Sequence, residues 1–201
     1  RSLNSMDKKG KCLFLILLSI FCLLLSVVPI DAADEFITKY DIIYQVHPSG
    51  LTTISQKISL TNKLSNIYAT EYSLNIGTLD VQNIKAKDGL GPLETSVSRS
   101  NGSVNINLSF NEKVVGKDKT LNFTLEYETF DFASKKGQVW EVIIPKVANI
   151  STIDEYSLTL NIPQSLGKPA YLSPKPIRSQ PPFFFFNKEA AAKGIMAAFG
   201  D

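Results

Sequence analysis

Residues 101–127 read NGSVNINLSFNEKVVGKDKTLNFTLEY, and two segments within them alternate without a break. Val104, Ile106, Leu108 and Phe110 are separated by Asn105, Asn107 and Ser109, while Leu121, Phe123, Leu125 and Tyr127 are separated by Asn122, Thr124 and Glu126. Successive side chains of an extended chain point to opposite faces, so each segment is a strand with one apolar and one polar side. An antiparallel sheet covered on one side requires that pattern. Asn101-Gly102 is the strongest short hairpin signal and predicts pairing of Thr95–Ser100 with Ser103–Phe110.

The same reading extends in both directions. Phe36, Tyr40, Ile42, Tyr44 and Val46 share one face of a run that His47-Pro48-Ser49-Gly50 turns into a second, with Ile54, Ile58 and Leu60 on one face. A run over 79–87 ends at Asp88-Gly89 and Gly91-Pro92, and Tyr156, Leu158, Leu160 and Ile162 alternate with Ser157, Thr159 and Asn161. Gly116-Lys117-Asp118 and Lys135-Lys136-Gly137 punctuate the joins between. About eight or nine short strands at this spacing predict a mainly β domain over 34–162, an antiparallel immunoglobulin-like β-sandwich, with a closed barrel as the alternative.

Beyond Ile162 the texture changes. Pro163, Pro169, Pro174, Pro176, Pro181 and Pro182 mark residues 163–182 as an extended linker or edge segment. Phe183–Phe186 form an apolar run that reads as a buried strand. Lys188–Phe199 (KEAAAKGIMAAF) reads as a short C-terminal helix with Ala192, Ile195, Met196 and Phe199 on one face, weakened by Gly194. Residues 183–201 are expected to begin a second unit that is cut short at Asp201.

At the other end, Lys8, Lys9 and Lys11 precede an apolar stretch, Cys12–Ile30 (CLFLILLSIFCLLLSVVPI). Residues 6–33 thus read as a signal peptide or N-terminal anchor helix, longer than a usual cleaved h-region and close to bilayer-spanning length. Pro29 and the small residues Ala32 and Ala33 favour cleavage there, and the basic flank directs the bulk of the chain out of the cytoplasm. An extracytoplasmic location, secreted or anchored at the cell envelope, follows. Cys22 makes a poor lipidation site because Phe21 before it is not small. Residues 1–5 precede the first methionine and read as a partial or spurious extension of the frame.

Removing residues 1–32 takes Arg1, Lys8, Lys9, Lys11, Asp7 and Asp31 from the 21 basic and 19 acidic side chains, leaving 17 of each. Such a neutral domain has no basic field for nucleic acid, and membrane contact is expected only through the N-terminal segment. With both cysteines in the leader, no disulfide can staple the domain, and its core must hold it.

The chemistry-bearing residues are few. His47 is the single histidine and sits in a turn without a partnered nucleophile. One histidine and no later cysteine cannot supply a zinc site, and no cofactor motif is present. Glu126 and Glu128 lie two apart on one polar strand face, where a solvated surface is the commoner arrangement than a glycosidase pair. Tyr68, Tyr72 and Trp140 are the candidate ligand platform of a binding module, although each also fits the core. Asn101, Asn107, Asn122 and Asn149 head Asn-x-Ser/Thr sequons, to be glycosylated only in a eukaryotic secretory pathway.

Three stretches, ITKYDIIYQVHPSGLTTISQKISLTNKLS (37–65), GQVWEVIIPKVANI (137–150) and FFFFNKEAAAKGIMAAFGD (183–201), together resemble the N-terminal β-sandwich region of exported bacterial transglutaminase-like proteins. The resemblance implies a Cys-His-Asp domain beyond Asp201, to which no residue here contributes. The expectation is a non-catalytic exported module, a spacer or binding platform whose partner is the downstream domain of the same protein. The alternative is a self-standing module that binds a cell-envelope protein or glycan.

Overall fold

In the computed structural model, residues 35–77, 80–100 and 102–200 are described; the leader with Ala32, Ala33, Cys12 and Cys22, and the sequon residue Asn101, lie outside them. The strands are β1 (Phe36–Val46), β2 (Thr52–Asn62), β3 (Glu71–Ile76), β4 (Gln82–Asp88), β5 (Gly91–Pro92), β6 (Glu94–Ser100), β7 (Ser103–Ser109), β8 (Thr120–Thr129), β9 (Ala133–Lys136), β10 (Val139–Ile144), β11 (Glu155–Asn161), β12 (Lys168–Ser173), β13 (Arg178–Gln180), β14 (Phe183–Asn187) and β15 (Ile195–Gly200). The α-helix among the described residues is α1 (Lys188–Lys193).

The alternating runs become strands because each then buries one row of side chains. In β1, Ile42, Tyr44 and Val46 are buried; in β8, Leu121, Phe123, Leu125 and Tyr127; in β11, Tyr156, Leu158 and Leu160. Both hairpin expectations are met. β1 pairs with β2 across the His47–Gly50 turn, and β6 pairs with β7 up to Ser100 opposite Ser103. Gly137, at φ 64, turns β9 into β10 in the left-handed region that favours glycine.

Three sheets result. An eight-stranded sheet has the order β13-β14-β11-β1-β2-β8-β4-β5, a four-stranded sheet β12-β15-β10-β9, and a three-stranded sheet β3-β7-β6. The large sheet ends in free edges at β13 and β5, so it is not closed into a barrel. Both small sheets cover the same face of it. Tyr72 of β3 meets Phe123 of β8 with ring centroids 5.0 Å apart, whereas Phe184 of β14 meets Phe199 of β15 at 5.7 Å. The fold is a multi-sheet β-sandwich around one buried cluster.

Three expectations are corrected. The large sheet is mixed rather than antiparallel, because β11 runs parallel to β1 from Lys39 opposite Glu155 to Gln45 opposite Asn161. Alternation reports which face a residue takes, not the direction of its strand. The join is pinned at its start, where the Thr38 N–H donates to Asp154 Oδ2 at 2.7 Å and the Asp154 N–H to the Thr38 carbonyl at 3.0 Å.

The proline-rich segment is structural rather than a linker. Leu166 is buried in a 3-10 turn, β12 pairs with β15, and β13 pairs with β14. β12 and β13 are both edge strands, the one place in a sheet that tolerates proline nearby.

The expected helix stops halfway. Asn187 Oδ1 caps α1 by accepting the Ala190 N–H, and Gly194 at φ 80 ends it. A Cβ at Gly194 would lie 3.0 Å from the Ile144 carbonyl oxygen. The chain then becomes β15, with Ile195, Ala197 and Phe199 buried and paired between β10 and β12. Residues 183–200 therefore complete the same core instead of opening a second one.

Phe184 tests this shared core. Its ring is 1% exposed and packed on Phe199, so Phe184→Ala is expected to cost about 3–5 kcal/mol. The loss should appear in a single urea transition monitored by both far-UV dichroism and Trp140 fluorescence. Two separated transitions would show that residues 183–200 fold apart from the rest.

Candidate functional site

The outer face of the large sheet is polar. Along it, Ser55 Oγ donates to Glu126 Oε1 at 3.2 Å, Ser59 Oγ to Asn122 Oδ1 at 2.7 Å, and Ser157 Oγ to Asp41 Oδ1 at 2.8 Å. At the β4 edge of this sheet, beside β6 of the three-stranded sheet, lies a cleft of about 460 Å³. Its apolar floor is Ile84, Ala86, Pro92 and Leu93, and its polar rim is Lys85, Lys87, Thr95, Thr124 and Glu126. Pattern places these side chains: Lys85 and Lys87 project from β4 on the side where Thr124 and Glu126 project from β8, with Lys85 opposite Glu126 and Lys87 opposite Thr124.

Glu126 and Glu128 are neighbours along one strand. Glycosidase carboxylates flank the scissile bond from two sides, a geometry that adjacent residues on one strand face do not provide. Glu126 opens into the cleft, while Glu128 accepts from Asn83 Nδ2 at 2.5 Å at the bulge of β4. His47 is a turn residue: its N–H donates to the Leu51 carbonyl, its carbonyl accepts the Gly50 N–H, and Nε2 lies 2.9 Å from Thr53 Oγ1. No group of three or more His, Cys, Asp or Glu side chains is placed to hold a metal among the described residues.

The aromatic candidates sit on separate elements. Tyr68 is exposed in the loop before β3. Tyr72 packs on Phe123 and shares a 2.8 Å hydroxyl contact with Tyr40, and Trp140 is half-buried against the core, close to Gly50. Burial, then the neighbouring Tyr40, pushes the Tyr72 phenol well above its ordinary pKa; burial does the same for Tyr40, Tyr44, Tyr127 and Tyr156. These phenols stay protonated at neutral pH and supply no nucleophile. Of the sequon residues described, Asn122 and Asn149 are exposed and Asn107 is half-buried on β7.

A second surface escaped the sequence reading. The outer face of the four-stranded sheet presents Met196 and Tyr171, each 54% exposed, and Ile143, 48% exposed, with Val139 beside them. Ile143 lies opposite Met196, and Tyr171 opposite Ala198. The signal was present in VII (142–144) and IMAAF (195–199), strands without polar alternation. Strands of that composition are typically buried on both faces.

No protein-family profile and no curated protein sequence matches the chain. Among solved structures, native leukotriene A4 hydrolase from Saccharomyces cerevisiae matches with a TM-score of 0.53 at 13% identity, over 90% of this chain and 33% of the hydrolase. Another structure of the yeast LTA4 hydrolase gives 0.51 at 14% identity over the same 90% and 33%. An M1 zinc metallopeptidase from Deinococcus radiodurans gives 0.48 at 7% identity, over 82% of this chain and 42% of that one. The chain thus spans about a third of the hydrolase it matches. The likeness is one of fold, to the N-terminal β-sandwich domain of the hydrolase, and it replaces the resemblance to transglutaminase-like proteins. The stretches behind that resemblance are strands, turns and one short helix, elements that many sheet proteins share.

Beside the cleft, Asp88 braces the turn between β4 and β5. This carboxylate, 9% exposed, accepts the N–H groups of Leu90, Asn111 and Glu112 at 2.9, 2.8 and 3.0 Å, while Asn111 Nδ2 donates to the Pro92 carbonyl. Burial works against the charge, but these donors win and hold the pKa below the ordinary 3.8. Because the folded value is the lower one, the stabilisation is full above that pH and is lost as pH falls through the folded value. Asp88→Asn is expected to cost about 1.5–3 kcal/mol at neutral pH. In urea titrations the gap to the unmutated protein should close as pH falls below the ordinary carboxylate value and through the lower folded one; an undiminished gap in acid would refute a charge-based clasp.

Proposed function

We propose that the chain is an exported, non-catalytic β-sandwich on which a following domain of the same protein docks. The observation that carries this reading is a group of exposed apolar side chains on the outer face of the four-stranded sheet, set around Glu141 of β10. Ile143, Met196 and Tyr171 stand together on strands whose other side already lines the core. Apolar area of that kind on a sheet face is characteristic of an interface, where each large side chain removed from water contributes about 1.5–3 kcal/mol. β15 supplies the centre of the patch and ends at Gly200, so whatever follows leaves the fold beside it. The fold likeness to the N-terminal domain of LTA4 hydrolase supports the reading, since that domain occupies about a third of a longer chain. The basic and apolar leader supports export.

A second reading, a self-standing module that binds a cell-envelope protein or glycan, is favoured by the cleft at β4 and β8. Footprinting separates the two. In hydroxyl-radical labelling, Met196 and Tyr171 should react readily in the chain ending at Asp201 and become protected at least severalfold in a longer protein carrying the residues that follow in the gene. Equal reactivity in both would remove the docking role. Met196→Lys and Ile143→Lys should leave the fold intact, as exposed positions do, and abolish the protection.

A further inference from the structure

The cleft has features that a docking scaffold does not need. Lys85 and Lys87 stand about 7 Å apart along β4, and both residues line the same hollow. Neither forms an ion pair among the described residues, unlike Lys39, which meets Glu155 at 2.6 Å. Lys85 has an acidic neighbour in register, Glu126, but that carboxylate accepts from Ser55 on the opposite neighbour strand. The cations are therefore available to an incoming anion.

Around them the chemistry is mixed. Thr95 and Thr124 bring hydroxyl-bearing side chains, Glu126 brings a carboxylate of which Oε1 accepts from Ser55, and Ile84, Pro92 and Leu93 supply apolar lining. A bare inorganic anion has no use for the apolar lining and is repelled by Glu126. A neutral sugar has no use for two lysines. A hydroxylated monoanion uses all of them: its carboxylate sits between the ammoniums, its hydroxyls reach Glu126 and the threonines, and its C–H face rests on the apolar lining. The volume of about 460 Å³ lies within the range of small-molecule sites. The Asp88 clasp fixes the β4–β5 turn that forms one wall, so the hollow is pre-organised.

We infer that this cleft is a binding site for a sugar acid, either free or as a residue of an acidic polysaccharide. Glu126 thereby keeps a role, as a hydroxyl acceptor instead of a catalytic acid.

Titration of the ¹⁵N-labelled protein with D-galacturonate tests the inference. The amides of Lys85, Lys87, Thr95 and Thr124 should shift saturably, D-galactose and sulfate should bind more weakly, and added salt should weaken galacturonate. A Lys85→Gln, Lys87→Gln double variant should raise the Kd by about fivefold or more, as loss of exposed charge pairs permits. Glu126→Gln should weaken galacturonate without weakening sulfate. An oligogalacturonide that binds tighter than the monomer identifies a polysaccharide source; equal affinity identifies the free acid. Sulfate binding as tightly as galacturonate, shifts away from the cleft, or indifference to the lysine substitutions would overturn the assignment. Because docking is read on β10, β12 and β15, either result leaves the platform proposal to its own test.

Discussion

The structure depends on shielding one face of a wide sheet. Tyr40, Ile58 and Phe123 form one row across β1, β2 and β8; Ile42, Gln56 and Leu125 form the next; Tyr44, Ile54 and Tyr127 the third. β11 and β14 extend these rows with Tyr156, Leu158, Leu160, Phe186 and Phe184. No single small sheet spans eight strands, and two are used. The three-stranded sheet covers the β1–β8 region through Tyr72 and Phe123, and the four-stranded sheet covers β14 through Phe199. Without cysteines in residues 33–201, this burial carries the stability that small exported domains commonly draw from disulfides.

Several polar groups inside this core are paired and neutral, whereas the buried Thr52 hydroxyl has no hydrogen-bond partner. The hydroxyls of Tyr40 and Tyr72 meet at 2.8 Å, and Asn62 Nδ2 reaches the carbonyls of Ile67, Val114 and Gly116. Asn62 thus ties two loops to the end of β2, where it also stands opposite Phe36 of β1. Burial keeps the phenols protonated, so they donate and accept without the cost of a buried charge. The interior is consequently built for cohesion, and polar groups free to meet a ligand are found on the outer face.

What the sequence made legible follows from what alternation encodes. The faces of β1, β2, β7, β8 and β11, and the hairpins at His47–Gly50 and Asn101-Gly102, depend on nearest neighbours and on turn chemistry. The parallel pairing of β1 with β11 is a contact across more than a hundred residues, and no local pattern announces it. The C-terminal region failed for a related reason. KEAAAK and IMAAF each fit a helix, and only the fixed geometry at Gly194, wedged against Ile144 and Lys146, divides them. Prolines suggested a linker because they exclude central strands, but β12 and β13 are edges. Glu126 was noticed for its charge. Its partners in the cleft, Lys85 and Lys87, were not, since their meeting depends on the β4–β8 register.

The two surfaces proposed for function are compatible because different strands build them. The cleft lies at the β4 edge of the eight-stranded sheet, where Thr95 of β6 also lines it. The apolar patch lies on the outer face of the four-stranded sheet. They thus lie on separate elements, β4–β6 with β8 for the cleft and β10, β12 and β15 for the patch. A domain seated on Ile143, Met196 and Tyr171 would leave Lys85, Lys87 and Glu126 open to solvent. Coupling between the two is not required by either, since the rows that separate them are tightly packed and make no use of charge. One sandwich can therefore hold a neighbouring domain on one sheet and present a ligand site at the edge of another.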